Sequence, residues 1–230
     1  QFCIMEKPVL IYCYDAYCGW CYGFSSVMKK IYEDYRDKFQ FEVLSGGMML
    51  EVPPQRIISM ASYIQNAYKN VEERTGVKFG DGFLQHIFHP EESNLVLNSE
   101  KSAIALCVLK EYYPEKAIEM ASDIQHAINY DGKDITKEDA YLSIVEKYGI
   151  SKKDFIEKLN NEEFREKAYY EFQLVKQLNV SSFPQVLVQV SDTNFYLIAK
   201  GYTEYDELKG RIESVLSQIN DSSFTQKNME

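Results

Sequence analysis

The chain has 230 residues, 45% of them apolar, with Tyr 18 and Phe 13. That is enough for one sizeable core, or for a domain carrying a large insertion. A formal net charge of -10 and a pI near 4.9 argue against a nucleic-acid partner, which would favour a basic face. No apolar run approaches the roughly 18 residues of a membrane-spanning helix, so no membrane partner is expected either.

The start, QFCIMEKPVLIY, lacks a basic segment followed by a long apolar one, so no signal peptide is visible. A mature chain with its signal removed would read the same. PVLIYCY (8–14) is a continuous apolar run of strand length, rich in β-formers, and reads as a strand buried on both faces. Phe24, Val27, Met28, Ile31 and Tyr35 then recur at helical spacing, so a helix begins near Cys18 and runs to about Tyr35. FQFEVLS (39–45) is a second strand, closed by Gly46 and Gly47. Strand, helix and strand make a parallel, right-handed βαβ unit.

From Pro54 to about Asn179 the pattern is almost entirely helical. Ile57, Ala61, Ile64, Tyr68 and Val71 form one stripe. A second helix starts after Asn98 and Ser99, and a third carries Ala117, Ala121, Ile124 and Ile128. DGKDITKEDA (131–140) is a turn leading to an N-cap at Thr136, with Asp139 in the first turn. Tyr141, Ile144, Val145 and Tyr148 carry a fourth helix, which Gly149 stops. Ser151 caps a short fifth, and Phe164, Ala168, Val175 and Leu178 mark a longer last one. PQVLVQV (184–190) and NFYLIAK (194–200) then read as a β-hairpin around Ser191, Asp192 and Thr193. A final helix begins near Thr203, and NDSSFTQKNME (220–230) is a polar, frayed tail.

The order is βαβ, a helical block, then ββα. The two outer pieces (1–50 and 180–220) are read as halves of one α/β domain, with an all-helical domain (51–179) inserted and a tail at 221–230.

Five cysteines cannot all pair within one chain. Cys18 and Cys21 stand apart from Cys3, Cys13 and Cys107. Cys13 and Cys107 lie in apolar patterns, where a free thiol behaves as a small buried hydrophobe. Unpaired buried thiols suit a reducing compartment, so the cytoplasm is expected. Cys18 sits at the junction of the first strand and first helix. There the unpaired backbone N–H groups and the helix dipole favour a thiolate. Cys21 lies one turn further in, able to face it. On this reading Cys18 attacks a disulfide and Cys21 resolves the mixed disulfide.

Two other readings of the pair stay open. A structural metal site needs about four ligands, but there is no second C-x-x-C, and His86, His89 and His126 are scattered. Two inert buried thiols are the other. Pro184 opens a buried strand after Phe183, and position alone suits an ordinary trans proline there. Tyr14, Tyr17 and Tyr22 could line a groove, although core packing is the default in so tyrosine-rich a chain. His86 and His89 read as surface or cap residues.

Strand, D-x-x-C-x-W-C-Y-G-F, helix, strand, helical insertion and F-P opening a hairpin together resemble a DsbA-like protein of the thioredoxin superfamily. More narrowly they resemble its predicted protein-disulfide isomerase branch, near the FrnE-like and 2-hydroxychromene-2-carboxylate isomerase-like proteins. The likeness covers roughly residues 8 to 219, with GGM (46–48), NSEKSA (98–103) and DGKDITKEDA as supporting pieces.

The resemblance implies a thioredoxin-like fold, with Cys18 and Cys21 catalytic. It implies a cis Pro184 beside them, and Phe183 offering its backbone to an extended substrate. Trp20, Phe183 and Pro184 are the expected substrate-binding residues, and Asp15 a modulator or local turn residue. The expected partners are protein or peptide thiols and disulfides. No bound cofactor is expected, and glutathione or a thioredoxin-type reductant recycles the pair. The Gly-Trp dipeptide departs from the Pro-His of the periplasmic oxidants, so an oxidant role does not carry over. Isomerase-like and kappa-class glutathione transferase relatives carry a serine where Cys18 stands. The rivals to dithiol chemistry are a glutathione-dependent transferase or isomerase on the same fold, and a non-enzymatic, chaperone-like binding module.

Overall fold

A strand that is apolar or aromatic at every position must be covered on both faces, and β1 (Val9–Tyr14) is, with all but its first residue buried. The computed structural model describes residues 7–227, so Cys3 lies outside the described residues. β1 pairs in parallel with β2 (Gln40–Ser45), and α1 (Gly19–Tyr35) makes the crossover between them. On its other side β1 pairs antiparallel with β5 (Gln185–Ser191), which turns back as the hairpin partner of β6 (Asn194–Lys200). The four strands lie in the order β2-β1-β5-β6.

Alternation along the strands divides the core. Leu10, Tyr12, Tyr14, Val43, Val186 and Val188 join Phe24, Met28 and Ile31 of α1 in the main cluster. Leu208 and Ile212, from the last helix α9 (Tyr205–Lys227), belong to the same cluster. Ile11, Cys13, Leu44 and Leu187 point to the opposite face. There Val175 of α8 (Glu162–Gln177) and Val180 cover them. Burying each such Leu, Ile or Phe side chain stabilises the fold by about 1.5–3 kcal/mol.

Register decides where the chemistry falls. Tyr14 pairs with Ser45, and Cys13 with Gln185. The C-terminal ends of β1 and β2 therefore meet the N-terminal end of β5 at one edge of the sheet. Three loops converge there: residues 15–18, residues 46–49, and residues 181–184.

The stretch between β2 and β5 is not wholly helical, contrary to the sequence expectation. It contains a short antiparallel pair, β3 (Gln55–Arg56) with β4 (Val96–Leu97). Two-residue strands carry no period for a sequence pattern to reveal. Around them lie α2 (Ala61–Thr75), α3 (Asp81–Phe88), α4 (Ser99–Tyr112), α5 (Ala117–Asn129), α6 (Leu142–Lys147) and α7 (Lys152–Leu159), before α8.

Further differences have local causes. Ile57 belongs to a 3-10 turn before α2, not to the helix. Thr136 caps nothing; its N–H and hydroxyl both donate to Asp134 Oδ1, forming a self-contained Asx turn. The helical segment instead starts at Glu138 as a 3-10 turn leading into α6. Gly149 does stop α6, with the left-handed φ of 65° that glycine tolerates best. The segment read as a tail from 221 is helical as far as Lys227. Among the described residues, no helix is long and apolar enough to cross a membrane.

Candidate active site

The first of the converging loops is a tight turn. The Tyr17 N–H donates to Asp15 Oδ1 at 3.0 Å, and the Cys18 N–H donates to the Asp15 carbonyl at 3.2 Å. That turn delivers Cys18 as the N-cap of α1 in extended conformation, its Sγ accepting the Cys21 N–H at 3.2 Å. A cap position ordinarily filled by an oxygen is filled here by sulfur.

The two thiols have different surroundings. Cys18 is 7% exposed and Cys21 is 0% exposed. Burial pushes the Cys21 thiol well above the ordinary thiol range, and its neighbour Cys18 pushes the same way. The partly open sulfur is thus the one at the helix end, and the sealed one stays protonated. Cys13 and Cys107 are also buried and free. Burial first, and the Glu171 carboxylate second, push Cys13 up to about 12 and Cys107 higher still.

The loop before β5 supplies the opposite wall. The Phe183 carbonyl lies 3.5 Å from Cys18 Sγ and accepts from it. The Phe183–Pro184 peptide bond is cis, and Pro184 is buried. The Phe183 ring lies over Gly46, where an added Cβ would fall 2.1 Å from the ring, so only glycine leaves room for it. Trp20 is half-buried in the first turn of α1, its ring centroid 6.4 Å from that of Tyr202.

Asp15 ties these loops together. It is buried, and its Oδ2 accepts the Met48 N–H at 2.8 Å while Oδ1 accepts the Ser99 hydroxyl at 3.0 Å. Burial raises its carboxyl above the usual range, against the pull of bonds from Met48, Tyr17, Ser99 and Gly47. From below, the amides of Gln125 and Asn129 on α5 reach the carbonyls of Asp15 and Ala16, each at 3.4 Å. The sequence offered no sign of the Ser99, Gln125 and Asn129 contacts. They bring together residues some eighty or more apart, and polar residues within helices look alike whether buried or solvated.

A cavity of about 460 Å³ opens beside Cys18, lined by Tyr17, Trp20, Met48, Met49, Met60, Tyr68, Phe79 and Phe183 among others. Of the three candidate tyrosines, Tyr17 lines this cavity, while Tyr14 and Tyr22 are buried in the core. His86 is neither a free surface residue nor a cap. Its ring bonds Ser93 Oγ at 2.7 Å and the Gly132 carbonyl at 2.9 Å, tying α3 to the loop after α5. Among the described residues, the group spaced to hold an ion is His89, Glu91 and Glu92, all exposed and including neither Cys18 nor Cys21.

Comparison with known families gives a match to the DSBA-like thioredoxin domain over residues 9–213. The chain belongs to this family. DsbA-like proteins are thiol–disulfide oxidoreductases that act on protein thiols, and this protein is one of them. Among solved structures it is similar to a candidate protein disulfide isomerase from Nitrosomonas europaea, with 25% identity and a TM-score of 0.81, covering 93% of this chain and 99% of that one. It is also similar in fold to the cytosolic disulfide reductase DsbM from Pseudomonas aeruginosa, with 20% identity, a TM-score of 0.73, and coverage of 91% and 99%. That reductase has also been solved with GSH, and this form matches with a TM-score of 0.71. No curated protein matches the chain.

Proposed function

We propose that this DsbA-like protein exchanges disulfides with protein or peptide cysteines through Cys18 and Cys21. The observation that carries the reading is the place of Cys18 Sγ, which caps α1 on the Cys21 N–H and faces the Phe183 carbonyl before the cis proline. Cys18 is the nucleophile and Cys21 the resolving thiol. Pro184 and Phe183 form the docking edge, with Trp20 as a neighbouring wall. Asp15 is a positioning residue, holding the loop at 46–49 against the turn that presents Cys18. Residues 51–179, the inserted block, supply the outer wall of the cavity.

The chemistry balances without any group beyond the pair and the substrate. Cys18 sulfur bonds to one sulfur of the substrate disulfide, whose S–S bond breaks. The leaving thiolate takes up the proton that Cys18 gives up. Cys21 then bonds to Cys18 and releases the second substrate sulfur, which receives the Cys21 proton. Two electrons pass from the pair to the substrate, and the reverse sequence oxidises a substrate dithiol. Reduced thioredoxin-type protein or glutathione returns the pair to the dithiol. A cytoplasmic setting is supported by the buried, unpaired Cys13 and Cys107 and by the cytosolic reductase among the structures of similar fold.

Trapping tests the assignment. Cys21→Ser should accumulate mixed disulfides with substrate, since nothing resolves them, and Cys18→Ser should accumulate none. Equal trapping by both variants would remove the division of labour. Activity that survives Cys21→Ser and needs glutathione would instead favour a transferase.

A further inference from the structure

Among the buried titratable groups that the exchange chemistry leaves unused, Tyr12 reaches the pair itself. It lies inside β1, buried, in the core cluster that α1 shares. Its ring packs on those of Tyr14 and Phe24, with centroids 5.8 and 5.9 Å away. Its hydroxyl donates to the Cys21 carbonyl, but at 3.5 Å, against roughly 2.8 Å for an ordinary hydroxyl bond. That carbonyl lies within α1, where the helix ladder already brings it an N–H. The hydroxyl is thus buried, weakly bonded and free to turn about its C–O bond to a better acceptor. The Cys21 side chain is within its hydrogen-bond reach.

Resolution creates such an acceptor. To attack the mixed disulfide, Cys21 must pass through its thiolate in a site sealed from solvent. Burial opposes that charge, and so do Cys18 and the Asp15 carboxylate, while a backbone hydrogen bond from Asp15 favours it. Tyr14 also faces Cys21. A buried anion needs more than one donor. We propose that Tyr12 is a catalytic residue of the resolving step: its hydroxyl turns from the Cys21 carbonyl to Cys21 Sγ and donates a hydrogen bond to the thiolate as it attacks. This deepens the exchange reading and rests on it. Tyr12 is a donor and not a base. Burial holds its phenol well above the ordinary range, so it keeps its proton throughout. The Cys18–Cys21 bond forms, the bond from Cys18 to the substrate breaks, and the Cys21 proton leaves with the second substrate sulfur. Two electrons pass to the substrate, and the first attack, by Cys18, does not need the hydroxyl.

The test uses the whole chain carrying Tyr12→Phe, which keeps the ring and removes only the oxygen. Reduced protein is mixed with dithiodipyridine and quenched in acid at intervals. Mass spectrometry of the peptide that holds Cys18 and Cys21 then counts the mixed disulfide and the intramolecular disulfide. Tyr12→Phe should form the mixed disulfide at the parent rate. It should resolve it about tenfold more slowly or worse, the size expected for losing a hydrogen bond to a charged group. The pH at which resolution reaches half its limiting rate should rise by about one unit, which a loosened core alone would not cause. Tyr14→Phe removes the neighbouring hydroxyl of the same strand and should resolve at the parent rate.

Resolution by folded Tyr12→Phe within about twofold of the parent rate overturns the role of the hydroxyl while exchange itself stands. Slowing with an unshifted pH profile overturns it too, as does equal slowing in Tyr14→Phe. If the parent protein never converts the mixed disulfide to the intramolecular one, Cys21 is not the resolving thiol and the exchange reading itself fails.

Discussion

Cys13 and Cys18 are five positions apart in sequence, on and just beyond the same strand, and they meet opposite fates. Cys13 points to the sheet face covered by α8, where Cys107 donates to Glu171 Oε1 at 3.4 Å. The Lys110 ammonium bonds the same carboxylate oxygen at 2.5 Å, as well as Glu42 Oε1 at 2.9 Å and the Val43 carbonyl at 2.8 Å. A cation beside Cys107 ought to favour its thiolate, yet burial and the Glu171 carboxylate outweigh it and the thiol is pushed up. Among the described residues, no side-chain cation hydrogen-bonds Cys18. It has a helix N-terminus, a carbonyl across from it, and an open cavity. On the proposed assignment, thiol chemistry here depends on an approach path and a backbone cap more than on the nearest charge.

The contrast is broken most severely at the sulfur itself. Cys18→Ser should lower disulfide exchange by about a thousandfold or more, to the uncatalysed background, whereas Cys13→Ser and Cys107→Ser should leave it unchanged, measured as reduction of a model disulfide per folded protein.

The second region should fail differently. Glu171→Ala removes the acceptor shared by Lys110, Cys107 and the Ser45 N–H. It leaves Lys110 with Glu42 and a carbonyl, and the loss should be about 3 kcal/mol of stability by denaturant unfolding. Exchange by the folded fraction should change little. A large drop in exchange at unchanged stability would tie that cluster to the site.

A smaller effect is expected at the seam between strand and docking loop. Gly46→Ala forces the Phe183 ring to move, because the new methyl would fall 2.1 Å from it. Exchange should slow by about tenfold through displacement of the Phe183 carbonyl from Cys18, with a modest change in melting temperature. Exchange at the parent rate would show that the Phe183 carbonyl need not hold its position.

The gentlest probe is alkaline pH. The folded state holds the Cys13 and Cys107 thiols above their unfolded value near 8.5, Cys13 up to about 12, so above pH 8.5 the unfolded chain loses protons first. Their contribution is fully present below that pH and is lost as pH rises toward the folded values. For each thiol the loss is about 1.4 kcal/mol per pH unit. Melting curves of reduced protein should show this slope, and Cys13→Ala should flatten it.

Much of this arrangement is legible in the chain itself, and the exceptions have reasons. β1, α1 and the β5–β6 hairpin stand out because long apolar runs and sustained periods are hard to mimic. The turn at Asp15 and the place of Cys18 at a strand-to-helix junction follow from them. The β3–β4 pair is set by tertiary contact between segments about forty residues apart, which no local pattern carries. α3 is only eight residues long, with Gly82 inside it. The cavity wall is hidden for a different reason. Ile64, Tyr68 and Val71 share one stripe on α2, and the same spacing serves a packed core and an open cavity equally well. Ser99 was visible only as the start of α4, and its bond to Asp15 spans 84 residues.

Competitive alkylation bears on the special place of Cys18 with the fewest intervening assumptions. Fully reduced native protein is treated with limiting iodoacetamide near neutral pH, and each cysteine-containing peptide is quantified by mass spectrometry. Among Cys13, Cys18, Cys21 and Cys107, Cys18 should be modified first and almost alone, the other three following only after denaturation. Earlier modification of Cys21 or Cys107 than of Cys18 would contradict the assignment of Cys18 as the nucleophile.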